Sequence, residues 1–237
     1  MRRLIRDISS VLILSGLLLV LDAGVTLVWQ EPVTAAIGLV LRSQVNQRYL
    51  SYQTAPLSPL DQHALVGLSS RRRRIEYLAR LEQRQVSAGD GVGRIEIPKI
   101  GVSYTIIQGT DELSLEKGPC HYPGTALPGM GLTVAIAGHR TTYLAPFNKL
   151  NYLISGNRIV LTMPYGKFTY VVQYQRIVSP RALWVTHNVG YDRLVLSACH
   201  PLYSAAQRII IFARLHSVAP RGKARSLGSL APARTLS

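Results

Sequence analysis

Cysteine is almost missing from this chain: Cys120 and Cys199 are the only two among 237 residues. At most one disulfide can form, so the fold must rest on its own apolar core. Acidic side chains are also sparse, 12 against 27 Lys and Arg, for a formal net charge of +15. No Cys/His or carboxylate spacing of the kind that holds zinc occurs, and neither metal nor cofactor is expected. Nowhere do aromatic residues interleave with a basic stretch, which argues against nucleic acid as the partner of all that positive charge. Internal repeats are absent.

Long apolar runs are absent too, with one exception. Ile8 to Trp29 is nearly unbroken and long enough to cross a bilayer of roughly 30 Å as a helix. No small-residue cleavage site closes it, so it reads as an uncleaved signal anchor. Arg2, Arg3 and Arg6 precede the run, while Gln30, Glu31 and Pro32 follow it. The positive-inside rule then puts residues 1–7 in the cytoplasm, 8–29 in the membrane and the remainder outside the cell. Asp22 fits at the outer interface or against a helix partner. Outside the membrane, a basic chain meets anionic headgroups and wall polymers. In that oxidising compartment a Cys120–Cys199 disulfide is the ordinary expectation, and it would leave no nucleophile.

Residues 30–90 carry helical spacing interrupted by Pro56 and Pro59, and include the run Arg71–Arg74 with a four-residue Arg72/Glu76 pair. They are expected to form an extracellular helical stalk. From Gly91 the pattern changes to short strands: 94–97, 102–107, 133–137, 158–163, 168–178, 194–198 and 208–215. Met163 to Lys167 reads as a hairpin turn between two of them. The expected fold class is all-β, a barrel or sandwich with brief helices over 91–216, behind the transmembrane helix and stalk. Residues 217–237 lack periodicity and read as a disordered basic tail.

Three side chains at strand ends suggest chemistry. The apolar run Leu194-Val195-Leu196 leads to Cys199, Arg208 opens the next run, and Val134 to Ala137 leads to His139. Thiolate is the attacking form of cysteine, and a thiol of pKa about 8.5 needs help to reach it at neutral pH. An imidazole can take the proton and return it to a leaving amine. A guanidinium stays charged and can donate to a developing oxyanion. His200 adjoins Cys199 but points to the opposite face of the strand, so it is a poor base for its neighbour.

The order Ile97-Pro98-Lys99-Ile100-Gly101, Ala137-Gly138-His139-Arg140, Leu196-Ser197-Ala198-Cys199 and Arg208 resembles the sortases, with Gly118 to Gly129 and His139 to Phe147 most similar to the class E group of actinobacteria. The resemblance implies an eight-stranded sortase-type β-barrel, with Cys199 as nucleophile, His139 as acid and base, and Arg208 steadying substrate and oxyanion. It also implies cleavage of secreted proteins between Thr and Gly of a C-terminal LAXTG or LPXTG signal. The product would be joined to a peptidoglycan-precursor amine, and Tyr143 would bear on the choice of signal. His121, Tyr122 and Ala198 are expected at the substrate groove. Val195 and Ala198 stand where the usual signature has Thr, and Cys120 where Gly is more common. The calcium-binding acids of some sortases have no counterpart in residues 141–155. Two other readings remain: a hydrolytic cysteine peptidase, and a non-catalytic wall-polymer-binding β module with its cysteines bridged. The Gly-Cys signature of L,D-transpeptidases is absent, since Ala198 precedes the cysteine.

Overall fold

Alternation of apolar residues over seven short stretches does close into a barrel, and an eighth strand completes it. The computed structural model describes residues 2–29, 32–54 and 56–226. The strands are β1 (Gly91–Ile97), β2 (Val102–Gln108), β3 (Cys120–His121), β4 (Thr133–Ala137), β5 (Arg158–Met163), β6 (Gly166–Val178), β7 (Arg193–His200) and β8 (Gln207–Pro220). They close in the order β1-β2-β3-β4-β7-β8-β6-β5, with β5 pairing back onto β1. The β2/β3 and β4/β7 pairs are parallel and the rest antiparallel. Closure leaves no strand with a fully open edge, and only the two-residue β3 bridges β2 and β4. The two-residue strand β3 lies in a Gly- and Pro-rich stretch, too short for any alternation to announce it.

Period-two alternation sends Val134 and Ile136 of β4, Leu194, Leu196 and Ala198 of β7, and Ile209, Ile211 and Ala213 of β8 into one interior cluster. Each large aliphatic side chain buried there contributes about 1.5–3 kcal/mol over its exposed state. The alternate residues Ala135, Val195, Ile210 and Phe212 face outward, yet they are buried too. A 3-10 turn, Leu183–Thr186, covers them with Val185, and Trp184 stacks on Phe212 at 6.1 Å. Cys199 and Arg208 share the parity of this covered outer face.

Before the barrel come α1 (Arg2–Trp29), α2 (Pro32–Thr54), α3 (Pro59–Val66) and α4 (Arg71–Gln85). Within α1, Arg6–Val25 is long and apolar enough to cross a membrane, the one such helix among the described residues. The helices after it do not stand off as a stalk. Ile75, Leu78, Ala79 and Glu82 form one buried stripe of α4, and its apolar members join the barrel's own core. Val45 and Tyr49 of α2 are buried as well, and Arg42 Nη2 donates to the Ser103 carbonyl of β2 at 2.8 Å. The apolar spacing that marks these segments as helices is also what docks them. Glu76 pairs with Arg80 at 2.9 Å, one turn further along than Arg72.

The expected disordered tail is partly ordered. β8 runs to Pro220, which pairs with Gly166 of β6, and a short last helix (Lys223–Ser226) buries Ala224. Residues 227–237 of that tail lie outside the described residues.

Candidate active site

Register brings the reactive groups together. In the β7/β8 ladder Cys199 lies directly opposite Arg208, and directly opposed residues project to the same face. That face is the outer one, since Val195 and Ile210 share its parity. In the parallel β4/β7 pair Ala137 sits beside Ser197, and the Gly138 amide donates to the Ser197 carbonyl at 3.0 Å. His139 and Cys199 each lie two residues beyond that pair, at the same end of the barrel. β7 ends at His200, before a cis bond to Pro201.

A tight turn holds the histidine. Gly138 is obligatory there, because a Cβ would lie 2.6 Å from the Phe147 ring. That close approach lets the chain fold back so that the buried Phe147 donates its amide to the His139 carbonyl at 2.9 Å. Between them Tyr143, Leu144 and Ala145 all have positive φ, at 48°, 65° and 39°. Such a run costs energy in non-glycine residues and persists only where its surroundings hold it. Here the Tyr143 hydroxyl donates to Glu116 Oε1 at 2.9 Å, and the Ala145 amide to the Thr142 carbonyl at 2.8 Å. The Tyr143 and His139 rings lie 5.4 Å apart. Burial lowers the His139 pKa below that of a free imidazole, partly countered by the Glu116 carboxylate. The ring is therefore neutral near pH 7 and able to accept a proton.

Arg208 Nη1 donates to the Ala205 and Gln207 carbonyls, both at 2.9 Å, tying the guanidinium to the β7–β8 loop. A second arginine, unforeseen from the sequence, works beneath the site. Arg140 is buried, and its Nη1 donates to the Cys199 carbonyl at 3.2 Å and lies 3.2 Å from His200 Nδ1. Its Nη2 reaches Asn151 Oδ1 at 2.9 Å and the Asn148 carbonyl at 3.3 Å. It therefore ties the histidine turn to the end of the cysteine strand. Alternation was the available signal, since the residue after an outward His139 faces inward and a buried guanidinium needs acceptors.

Of the expected groove residues, Tyr122 packs against the covered outer face, and Tyr143 stands beside His139. Two others are buried away from the surface that carries Cys199. Ala198 turns into the barrel core and is 3 % exposed, because it has the opposite parity to Cys199. His121 is 1 % exposed and locked between Gln108 Oε1 at 2.8 Å and the Ala126 carbonyl at 2.9 Å. Desolvation pulls its pKa down to about 4.

The bridge between the cysteines does not exist, as both are free. Cys120 pairs with Ala137, which pairs with Ser197. Two strand spacings, about 9–10 Å, therefore separate Cys120 from β7. A disulfide tolerates no more than about 7 Å between Cα atoms. The Cys120 thiol is buried against Val45 and Ile107, and burial raises its pKa far above that of a free thiol. The non-catalytic reading loses its premise.

A family model, the Sortase domain, matches residues 95–216, just over half of the chain. The chain belongs to the sortase family. Sortase E from Streptomyces avermitilis is 30% identical to this sortase and superposes with a TM-score of 0.53, covering 59% of this chain and 99% of that one. A Clostridium perfringens sortase D5 transpeptidase shares the fold at a TM-score of 0.60 and 22% identity, covering 75% of this chain and 99% of its own. Sortase D of Bacillus subtilis (strain 168) is 41% identical over 54 residues, 23% of this chain, and the match spans only 27% of that relative. Among the described residues no group of His, Cys, Asp or Glu is placed to hold a metal ion.

Proposed function

We propose that this sortase is a membrane-anchored cysteine transpeptidase of the class E type. It would cut a LAXTG- or LPXTG-like signal between Thr and Gly and join the Thr carbonyl to a peptidoglycan-precursor amine. The observation that carries this reading is the register of Cys199 opposite Arg208, on the face to which β4 delivers His139. Class E is supported by the 30% identity to the Streptomyces avermitilis sortase E. Anchoring is supported by the apolar stretch Arg6–Val25.

In the proposed reaction Cys199 Sγ attacks the Thr carbonyl carbon while His139 takes the thiol proton. Arg208 donates to the oxyanion. The C–N bond breaks, His139 returns the proton to the departing glycine amine, and a thioester remains. The acceptor amine then attacks the thioester, loses its proton to His139 and expels the thiolate, which recovers that proton.

Incubating the full chain with a labelled LAXTG peptide and an amine acceptor, followed by mass spectrometry, tests the proposal. A ligated product and an adduct on Cys199 are expected. His139→Ala should cost about 10²–10⁴-fold in kcat/KM, and Arg208→Ala about 10²–10³-fold. Release of free acid alone in the presence of amine would make the enzyme a hydrolase. No adduct with either LAXTG or LPXTG peptide would overturn the reading.

A further inference from the structure

Helix α2 has two sides with different fates. Gly38, Arg42, Val45, Asn46 and Tyr49 recur at helical spacing and face the barrel: Arg42 lies over the Tyr104 ring at 4.5 Å, Asn46 accepts from Thr105, and Val45 and Tyr49 are buried. On the other side, toward the helix start, Ile37, Leu39 and Val40 are 45%, 58% and 60% exposed. Past Leu41 the residues outside that barrel-facing set are polar, through Ser43, Gln44, Gln47 and Arg48, until Leu50, a single residue that is 60% exposed. Exposed apolarity is thus concentrated at the end of α2 that follows α1 after only two intervening residues.

We infer that the first half of α2 lies in the headgroup–acyl boundary of the bilayer that α1 crosses, holding the His139 turn at the membrane surface. The inference rests on the proposed anchoring of α1. At 1.5 Å per residue, Ile37 to Val40 lie only about 8–12 Å along the helix from Pro32, close behind the span. Chain continuity with an apolar span selects lipid as the occupant over a soluble partner. The coupling to the site is direct. A Cβ on Gly38 would lie 3.1 Å from Leu144 Cγ, and Tyr104, over whose ring Arg42 sits, donates its hydroxyl to the Leu144 carbonyl at 3.4 Å. The left-handed turn that follows His139 therefore rests on the same helix whose exposed apolar residues meet lipid.

Three full-length chains test this, each with Trp29 and Trp184 replaced by Phe and one new tryptophan: Leu18→Trp in α1, Val40→Trp in α2, or Leu60→Trp in α3, where the side chain is 80% exposed. Each is reconstituted in phosphatidylcholine vesicles with and without bromines near the top of the acyl chains. The α1 and α2 tryptophans should lose most of their emission to the brominated lipid, and the α3 tryptophan almost none. Quenching in α1 but not in α2 overturns the interfacial placement and leaves anchoring intact. Blue-shifted, unquenched emission from α2 would assign the face to protein and overturn it equally. Quenching in neither would remove the anchoring and this inference together.

Discussion

This sortase holds a cysteine and a histidine in two places on neighbouring strands, and the two pairs differ in burial and in the faces they share. Cys120 and His121 are neighbours along β3, so their side chains point to opposite faces: the thiol out beneath α2, the imidazole into the barrel. Both are buried. Cys199 and His139 are 60 residues apart in sequence but are brought to the same end of the barrel by the parallel pairing of β4 and β7. Both keep partial exposure. Adjacency in sequence separates a thiol from an imidazole on a strand, while adjacency across strands unites them.

The widest divergence between the two places should appear on removing the sulfur. Cys199→Ala should abolish peptide transfer, a loss of at least about 10⁴-fold. Cys120→Ala should leave kcat/KM nearly unchanged and cost stability instead, because it empties part of a packed apolar site. Transfer assays and thermal melts on both variants would check this. Loss of activity in Cys120→Ala without loss of fold would break the comparison.

Acid should separate the two histidines next. His121 has a folded pKa of about 4, below the roughly 6.5 of an unfolded histidine. The unfolded chain therefore binds a proton first as pH falls. Stability from this group is complete above about pH 6.5 and disappears progressively toward pH 4, by an amount on the order of 3 kcal/mol. His121→Gln should flatten the dependence of melting temperature on pH across that window while lowering stability at pH 7. An unchanged slope would mean that some other group carries the acid sensitivity.

How much of this was legible in the sequence follows from the same contrast. Apolar alternation marked seven strands and the ends on which Cys199, His139 and Arg208 sit, because a period of two depends only on local sequence. The two residues of β3 show no period, so the pairing that buries Cys120 and His121 could not be read. Ala198 was expected at the groove for its place beside the nucleophile, whereas parity sends it into the core. Arg140 and Glu116 owe their roles to contacts across the barrel mouth, made only once the turn after His139 closes. The helices of 32–85 were visible as helices, but the surface that receives them exists only in the folded barrel.

The subtlest difference between the two histidines is a carboxylate. His121 has only neutral partners, Gln108, Thr125 and the Ala126 carbonyl. His139 feels the Glu116 charge, which favours the imidazolium and opposes the effect of burial. Glu116→Gln keeps an acceptor for the Tyr143 hydroxyl and so preserves the turn, but removes the charge. The imidazolium then loses its stabilisation and the His139 pKa drops further below that of free imidazole. The proposed base, His139, must be neutral to act, so the acidic limb of the kcat/KM profile should move to lower pH while the plateau holds. A limb that stays in place would mean that Glu116 acts on the turn alone. A limb that moves upward would mean that His139 is not the group titrating there.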